Sequence, residues 1–393
     1  MAAAKPRTLS GLTLLRLVAV ALIGAAAAWL CVSVGVAGVA RLRSPDLTLR
    51  FAPFDANALA ERAFLRLNAP AAGQLALARG EALRSFERDG SNVATLRTLA
   101  FLADAQGKAG VAAASFRQAE RLSRRDLATQ LWLIEDRVRA NDVAGALTHF
   151  DRALRTSVLA RDILFPVLTG ATEDERLVAP IATLIRRRPE WAPPFMSGLV
   201  GSGRALDNIA RLIALANDKS SAQVFAARAI ANNRADLVPV VLPATGGRRD
   251  AGLQGFQDSA AGPPFNWTIT EQAGLQAAIS GAGSSSVLEF GVDDTWTGKI
   301  AERQALLLPA VYMLRARVTS PADISVVFSL VCPGGAPLFQ TQATGGRVAG
   351  EFRVPDGCPV QTVSVALPPT RRGATEARIE DFSITRSKGS TPS

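Results

Sequence analysis

Histidine is almost missing from this sequence, and its scarcity argues against several kinds of active site. His149 is the only histidine among 393 residues, which leaves little from which to build a histidine-based catalytic mechanism or a metal centre with several histidine ligands. The chain also lacks the motifs G-x-S-x-G, C-x-x-C and H-E-x-x-H and the phosphate-binding P-loop. We therefore predict a protein without enzymatic activity, cofactor or metal ion, in which His149 is an ordinary surface or half-buried residue.

Acidic residues are scarce in the first part of the chain, where the net positive charge is concentrated. Residues 1–250 carry 33 Lys and Arg against 22 Asp and Glu, whereas the remainder carries 11 against 12. The basic residues are spread along helical segments, and the arginines at 186–188 form the only dense run. This distribution favours solvated helix faces over a nucleic-acid partner. Attraction to anionic lipid headgroups is the second interpretation.

One long apolar run stands near the amino terminus. Residues 17–40 form a stretch of 24 residues without a charge, in which Ser33 is the only polar side chain. At about 1.5 Å per residue such a helix spans about 36 Å, enough for a hydrocarbon core of about 30 Å. We predict an uncleaved transmembrane helix at 17–40 after a cytoplasmic tail at 1–16. A cleaved signal peptide is the alternative.

The three cysteines indicate the side of the membrane, because the arginines on both flanks of the apolar run do not. Cys31 lies within the run, whereas Cys332 and Cys358 lie in the carboxy-terminal region, each followed by a proline. We interpret this pair as a disulfide in preference to two buried thiols, and a disulfide needs an oxidising compartment. We therefore expect everything after Arg41 in the periplasm of a Gram-negative bacterium, anchored in its inner membrane.

A short pattern recurs at an interval of 34 residues. The stretches AAASFRQA (112–119) and ALTHFDRA (146–153) share Ala-x3-Phe-x2-Ala, within a region whose apolar spacing is helical. Small residues let two helices approach closely, and phenylalanine fills the space between one helix pair and the next. The predicted repeat-packing residues are Ala112, Phe116, Ala119, Ala146, Phe150 and Ala153.

These residues resemble the signature of tetratricopeptide repeats, whose period is 34 residues. The unit at 93–126 matches best, 127–160 follows, and 59–92 is degenerate. The best unit has Leu96 and Ala103 where the family has tryptophan and tyrosine. The resemblance implies a solenoid with a concave groove for a partner protein. A structural spacer between the membrane and the carboxy-terminal region is the alternative.

Beyond residue 250 the pattern changes to period two. Apolar and polar residues alternate in runs such as 286–292, 311–318 and 377–386, with turns rich in glycine, serine and proline between them. Short alternating runs of this kind are typical of an antiparallel sandwich. We predict a β-sandwich at 251–387 and a disordered tail at 388–393.

The segments PFNWTI, LLLPAVYMLRARV and ARIEDFSI resemble the jelly-roll of carbohydrate-binding modules. In that family sugars lie against exposed aromatic rings, which implies a platform on Trp296 with Asp293 and Asp294 beside it. The alternative is that Trp296 packs on the sheet edge, and the two aspartates are also candidates for calcium ligands. Trp267 and Tyr312 are expected in the core.

Together these patterns predict a multidomain chain: a transmembrane helix, a tetratricopeptide-like helical domain at 54–243 and a carbohydrate-binding-module-like sandwich. We expect a non-catalytic scaffold in cell-envelope or exopolysaccharide assembly. Its helices would bind a protein partner, and a polysaccharide is the candidate ligand of the sandwich. The alternatives are a pure protein–protein adaptor with a structural sandwich and a sugar-processing enzyme.

Overall fold

The structure is a computed structural model that describes residues 11–40, 43–67, 73–249, 252–256, 261–320, 324–335, 337–369 and 374–387. Helices occupy its first part and strands its second. The predicted tail at 388–393 and the first ten residues of the predicted cytoplasmic tail lie outside the described residues, and residues 11–16 belong to the first helix.

Fourteen α-helices occur in the part of the chain that the structure describes. They are α1 (Gly11–Ala40), α2 (Pro45–Phe51), α3 (Ala56–Leu67), α4 (Gln74–Arg88), α5 (Val93–Ala105), α6 (Ala109–Leu122), α7 (Leu127–Arg139), α8 (Val143–Thr156), α9 (Leu159–Ala171), α10 (Glu175–Arg186), α11 (Ala192–Ser202), α12 (Leu206–Ala216), α13 (Lys219–Ala231) and α14 (Val238–Thr245).

The chain divides into two compact units, Met1–Leu164 and Phe165–Ser393, and the division falls within α9. The change from helix to strand lies between α14 and residue 252, close to the expected boundary. Residues 165–249 belong to the second unit together with the strands. Within the second unit, Gln223 Nε2 donates a hydrogen bond to the Ala261 carbonyl oxygen at 2.6 Å.

The apolar run forms most of α1. Its segment Val18–Ala40 has a mean hydropathy of 2.2 and is long and apolar enough to cross a membrane. A membrane anchor and a signal sequence both have these properties. Cys31 lies in this helix as an exposed free thiol.

The helices α5 to α8 pair as two hairpins whose boundaries recur at 34 residues. The first helices begin at Val93 and Leu127, and the second begin at Ala109 and Val143. Side-chain caps set the starts of the first helices, since Asn92 Oδ1 accepts the Thr95 N–H and Asp126 Oδ2 accepts the Thr129 N–H. The caps recur at the same interval, so the repeat is present in the helix boundaries themselves.

The six residues predicted to pack the repeat lie in the interior of the first unit. All are buried: Ala112, Phe116, Ala119, Ala146, Phe150 and Ala153. The Phe116 ring stacks on Trp132 with centroids 4.2 Å apart and meets the Phe101 ring edge-on at 4.8 Å. Because Trp132 lies on α7, Phe116 joins one hairpin to the next.

A buried arginine links three elements of the same unit. Arg97 on α5 donates to Asp126 Oδ1 at 2.6 Å and to Glu61 Oε1 at 2.8 Å. Asp126 caps α7 and Glu61 lies on α3. The two carboxylates compensate the cost of burying the guanidinium, which would be large for an unpaired charge.

The strands follow in the second unit. They are β1 (Gly252–Gln254), β2 (Thr268–Ile269), β3 (Leu275–Ser280), β4 (Val287–Val292), β5 (Gly298–Ala305), β6 (Ala310–Thr319), β7 (Ser325–Val331), β8 (Pro337–Thr344), β9 (Gly346–Val354), β10 (Gln361–Leu367) and β11 (Thr375–Arg386).

These strands form two antiparallel sheets that enclose one core. The six-stranded sheet has the order β3-β4-β11-β6-β9, with β1 also paired to β11, and the five-stranded sheet has the order β2-β5-β10-β7-β8. In β6 the residues Tyr312, Leu314, Ala316 and Val318 are buried in alternation with half-buried or exposed neighbours. This alternation is the predicted period-two pattern, with apolar side chains inside and polar ones outside.

A disulfide closes one end of the five-stranded sheet. Cys332 and Cys358 are bonded, with their Cα atoms 5.5 Å apart, which confirms the predicted pair. Cys332 follows β7 and Cys358 precedes β10, and these two strands pair directly. The bond therefore joins the segments at which two neighbouring strands end and begin.

Ala112→Leu tests the packing of the first unit. Ala112 has no exposed surface and lies in a cluster with Ala100 and Trp132, so three added carbons overpack it and lower the free energy of unfolding by about 1–3 kcal/mol. Chemical denaturation measures the change. The control is Ala114→Leu, at an exposed position of the same helix, where we expect a change within about 0.5 kcal/mol. Equal stabilities for the two variants would contradict the packing.

Candidate functional site

The three residues predicted to bind a ligand lie between β4 and β5, in different environments. Asp293 and Asp294 are exposed, whereas Trp296 is 6% exposed and belongs to the sandwich core. A Cβ on Gly274 would come 3.3 Å from Trp296 Cδ1, so the indole is covered by the turn before β3. Trp296 therefore has no open ring face for a sugar. Its indole packs against the sheet, as in the alternative considered from the sequence. Trp267 and Tyr312 lie in the core as expected.

The six-stranded sheet presents a polar outer face. Phe290 and Val292 of β4 point into the core, and Glu289 and Gly291 alternate with them on the outside. In β11 the same alternation buries Ala377 and Ile379 and exposes two outward residues, Glu376 and Arg378. The charged side chains of neighbouring strands therefore share one face.

Two adjoining cavities lie on this face, over β3, β4 and β11. Their volumes are about 520 and 630 Å³, within the range of roughly 300–1,000 Å³ that ligand pockets occupy. We name them together the sheet groove. Its outward side chains, with one glycine, are Gln276, Ala278, Glu289, Gly291, Asp293, Thr319, Glu376 and Arg378.

Strand register arranges these residues in two rows. Gln276, Gly291 and Glu376 are opposite one another across the three strands. The next row contains Ala278, Glu289 and Arg378. Each row has one small residue, Gly291 or Ala278, between or beside two polar side chains. These two small residues form the floor of the groove, and the polar side chains surround them.

Glu289 and Arg378 form an ion pair across the strands. Arg378 Nη1 lies 3.6 Å from Glu289 Oε1, and Ser280 Oγ donates to Glu289 Oε2 at 3.2 Å. The Arg378 side chain is 51% exposed and the Glu289 side chain is 46% exposed. Solvent therefore screens the pair, and it adds little to stability. Both groups keep hydrogen-bonding capacity that a ligand can use.

Gly291 forms part of the floor of the sheet groove. It is the second-to-last residue of β4, and a Cβ built on it would meet only Glu376 Cγ, at 3.6 Å. Packing therefore does not require glycine here. A glycine inside a strand often marks a place where a ligand or another backbone comes close.

The charges in the sheet groove disfavour an anionic ligand. Among its described lining residues, Glu289, Asp293 and Glu376 are acidic and Arg378 is the only cation. An anionic ligand would meet three carboxylates for one guanidinium, and like charges brought together cost free energy. A neutral molecule with many hydroxyl groups meets donors and acceptors without that cost.

Among the residues of the sheet groove, Asp293 was identified from the sequence and most of the others were not. Glu289, Glu376 and Arg378 are outward positions of alternating strands, which ordinarily face solvent. Their proximity follows from the pairing of β4 with β11, a contact between residues far apart in the chain. The one local signal was Gly291 inside an otherwise regular strand pattern.

The first unit contains a buried polar cluster around His149. Contrary to the expected surface or half-buried position, His149 is 5% exposed. Its Nδ1 lies 2.9 Å from Gln130 Oε1 and 3.3 Å from Glu120 Oε1, and Glu120 also pairs with Arg152. Burial lowers the pKa of His149; Glu120 opposes the shift, and Arg152 adds to it. The imidazole is therefore held neutral at pH 7.

Metal ligands are not gathered at the predicted aspartates. Over the described residues, no group of three or more His, Cys, Asp or Glu is placed to hold a metal ion. Asp293 instead lines one end of the sheet groove, and Asp294 is exposed beside it.

No protein-family model matches the chain, and no curated protein matches it either. Solved structures do show similarity. The carbohydrate-binding module CBM4 is 13% identical, with a TM-score of 0.25, over 32% of this chain and 88% of that one. TmCBM61 in complex with β-1,4-galactotriose is 14% identical, with a TM-score of 0.25, over 31% and 88%. Accessory secretory protein 1, 2 and 3 of Streptococcus pneumoniae is 10% identical, with a TM-score of 0.21, over 31% and 100%. Similarity at this level carries no ligand over to this chain.

Trp296→Ala tests the placement of the indole. Removing a buried tryptophan side chain from the core lowers the free energy of unfolding by about 3–5 kcal/mol, which thermal and chemical denaturation measure. The control is Asp294→Ala in the same turn, which is exposed and should change stability by less than about 0.5 kcal/mol. An unchanged melting curve for Trp296→Ala would place the ring on the surface after all.

His149→Asn tests the buried cluster through pH. The pKa of His149 in the folded chain is lowered below its usual value of about 6.5. Between these two pKa values the unfolded chain binds a proton at His149 and the folded chain does not. This contribution to stability is complete above pH 6.5 and is lost as the pH falls through the folded pKa. The wild-type chain should therefore lose more free energy of unfolding than His149→Asn between pH 7.5 and 5.5. Parallel pH profiles for the two chains would refute the shift.

Proposed function

We propose that this protein is a non-catalytic, membrane-anchored scaffold that binds a neutral oligosaccharide in the sheet groove and a protein partner through its helical hairpins. The groove is the observation that carries the proposal. Sugars present rows of hydroxyl groups, and the Gln276 amide, the Glu376 carboxylate and the Arg378 guanidinium supply matching acceptors and donors. The floor at Gly291 and Ala278 leaves room for a ring to approach the sheet.

The proposed location is the inner membrane of a Gram-negative bacterium, with the chain after α1 in the periplasm. The disulfide Cys332–Cys358 supports an oxidising compartment, because cytoplasmic thiols are kept reduced. The apolar helix α1 supports attachment to the membrane. Envelope polysaccharide is the sugar polymer that such a position would bring within reach, so assembly or export of cell-surface polysaccharide is the proposed process.

We propose that α5–α6 and α7–α8 are tetratricopeptide repeats that hold a protein partner. The 34-residue interval of helix starts and caps supports this identity, as do the buried alanines and phenylalanines at the signature positions. Stacked repeats of this kind offer an extended surface for a polypeptide.

A pure protein adaptor is the second candidate. Trp267, Trp296 and Tyr312 are all buried, so the described part of the sandwich has no exposed tryptophan or tyrosine on which a sugar would stack. In this alternative the sandwich is structural, and the polar groove is an ordinary solvated face.

Gly291→Tyr tests sugar binding in the sheet groove. A Cβ at this position makes only an ordinary contact with Glu376, and Gly291 lies on the outer face of the sheet. We therefore expect the fold to be retained while the phenol occupies the groove and displaces the ligand. On an array of neutral and uronic-acid oligosaccharides, the detergent-solubilised wild-type chain should retain neutral ligands in preference to acidic ones. Gly291→Tyr should weaken that retention at least tenfold, which corresponds to about 1.4 kcal/mol.

The control is Ala349→Tyr, at an exposed position of β9 in the same sheet and outside the groove. It should bind as the wild-type chain does. Equal binding by Gly291→Tyr and Ala349→Tyr, or selection of acidic sugars, would contradict the proposed site. No binding to any sugar would favour the adaptor.

A further inference from the structure

The free edges of the sandwich differ in how they are protected against pairing with another strand. Natural sheets blunt their edges with charged residues, proline, bulges or very short strands. The edge strand β9 carries Arg347, Glu351 and Arg353, β8 begins at Pro337, and β2 has two residues. The edge strand β3 has none of these devices. Its sequence LQAAIS is uncharged, lacks proline and pairs with β4 over six residues without a shift in register.

The backbone of β3 has hydrogen-bonding groups that point away from the sheet. The Asp293 N–H donates to the Gly274 carbonyl oxygen at 3.0 Å. In this register the backbone N–H and C=O groups of the even-numbered residues of β3 therefore point toward β4. Since the direction alternates along an antiparallel strand, Ala277 and Ile279 turn their N–H and C=O groups outward. Among the described residues, β4 is the only strand paired with β3.

The side chains of β3 suit pairing with a second β3. In an antiparallel pair centred on Ala277, Leu275 of one copy stands opposite Ile279 of the other. Both are half-buried and pack against the edge of the core, and such a pair would cover them. On the outer face Gln276 would stand opposite Ala278, and no like charges meet. A chain with a net charge of +10 thus has a neutral edge that two copies can share.

We propose that two copies of this chain associate through β3, in a two-fold antiparallel pair that joins their six-stranded sheets. A two-fold interface uses the same patch on both copies. Anchoring by α1 would hold copies in one membrane and raise their effective concentration. Because Gln276 and Ala278 line the sheet groove, the pairing would place two grooves side by side. The association itself does not depend on what the groove binds.

Site-directed crosslinking tests the pairing. The full-length chain carries Cys31→Ser, which removes the free thiol, and Ala278→Cys on the outer face of β3. In the proposed register the two introduced thiols are diagonal neighbours about 7–8 Å apart at Cα, within reach of a short bismaleimide linker. We expect a covalent dimer in detergent or native membranes. Ala349→Cys, which is also exposed and lies on β9, should stay monomeric.

Ala277→Pro, added to Ala278→Cys, checks that strand pairing is the cause. Proline removes an N–H that faces away from β4, so the β3–β4 ladder is kept while the bond to the second copy is lost. The crosslinked fraction should fall at least tenfold with an unchanged circular dichroism spectrum. The proposal is overturned if Ala278→Cys stays monomeric, if it crosslinks no better than Ala349→Cys, if Ala277→Pro leaves the dimer intact, or if native membranes yield a different protein on β3.

Discussion

Alternation along the strands is the constraint on which the sandwich depends. Because successive side chains point to opposite faces, β4 supplies Phe290 to the core and Glu289 and Gly291 to the outer face. A slip of one residue would bury the carboxylate and expose the ring. The apolar residues therefore fix the register, and the register places Glu289 beside Arg378. The sheet groove and the core are products of the same pairing.

A second periodicity organises the first unit. The interval of 34 residues recurs in the helix starts, in the caps and in the alanines that let helices approach each other. Phe116 and the buried Arg97 connect one hairpin to its neighbours, one by ring stacking and the other by two ion pairs. The helices after residue 165 belong to the same compact unit as the strands.

The sequence was sufficient to predict whatever depends on local pattern. The apolar helix, the helix pairs, the sandwich and the disulfide pair all follow from periodicity or composition, and the structure contains each of them. The candidate site was harder to predict because its parts meet only through pairing of distant strands. Trp296 follows acidic residues in a turn, which suggested an exposed ring, but the glycine turn before β3 covers it. His149 was expected near the surface because nothing in its own helix signals that Gln130 and Glu120 enclose it.

The central claim is that the outer face of β3, β4 and β11 is a binding surface. Its most direct test is carboxyl footprinting by mass spectrometry, in which a carbodiimide couples a small amine to accessible carboxylates with and without a neutral oligosaccharide that the chain retains. If this face binds the sugar, the sugar slows labelling of Glu289 and Glu376 and leaves the labelling rate of Glu351, on the outer face of β9, unchanged. Equal labelling rates at Glu289 and Glu376 with and without the sugar would contradict it.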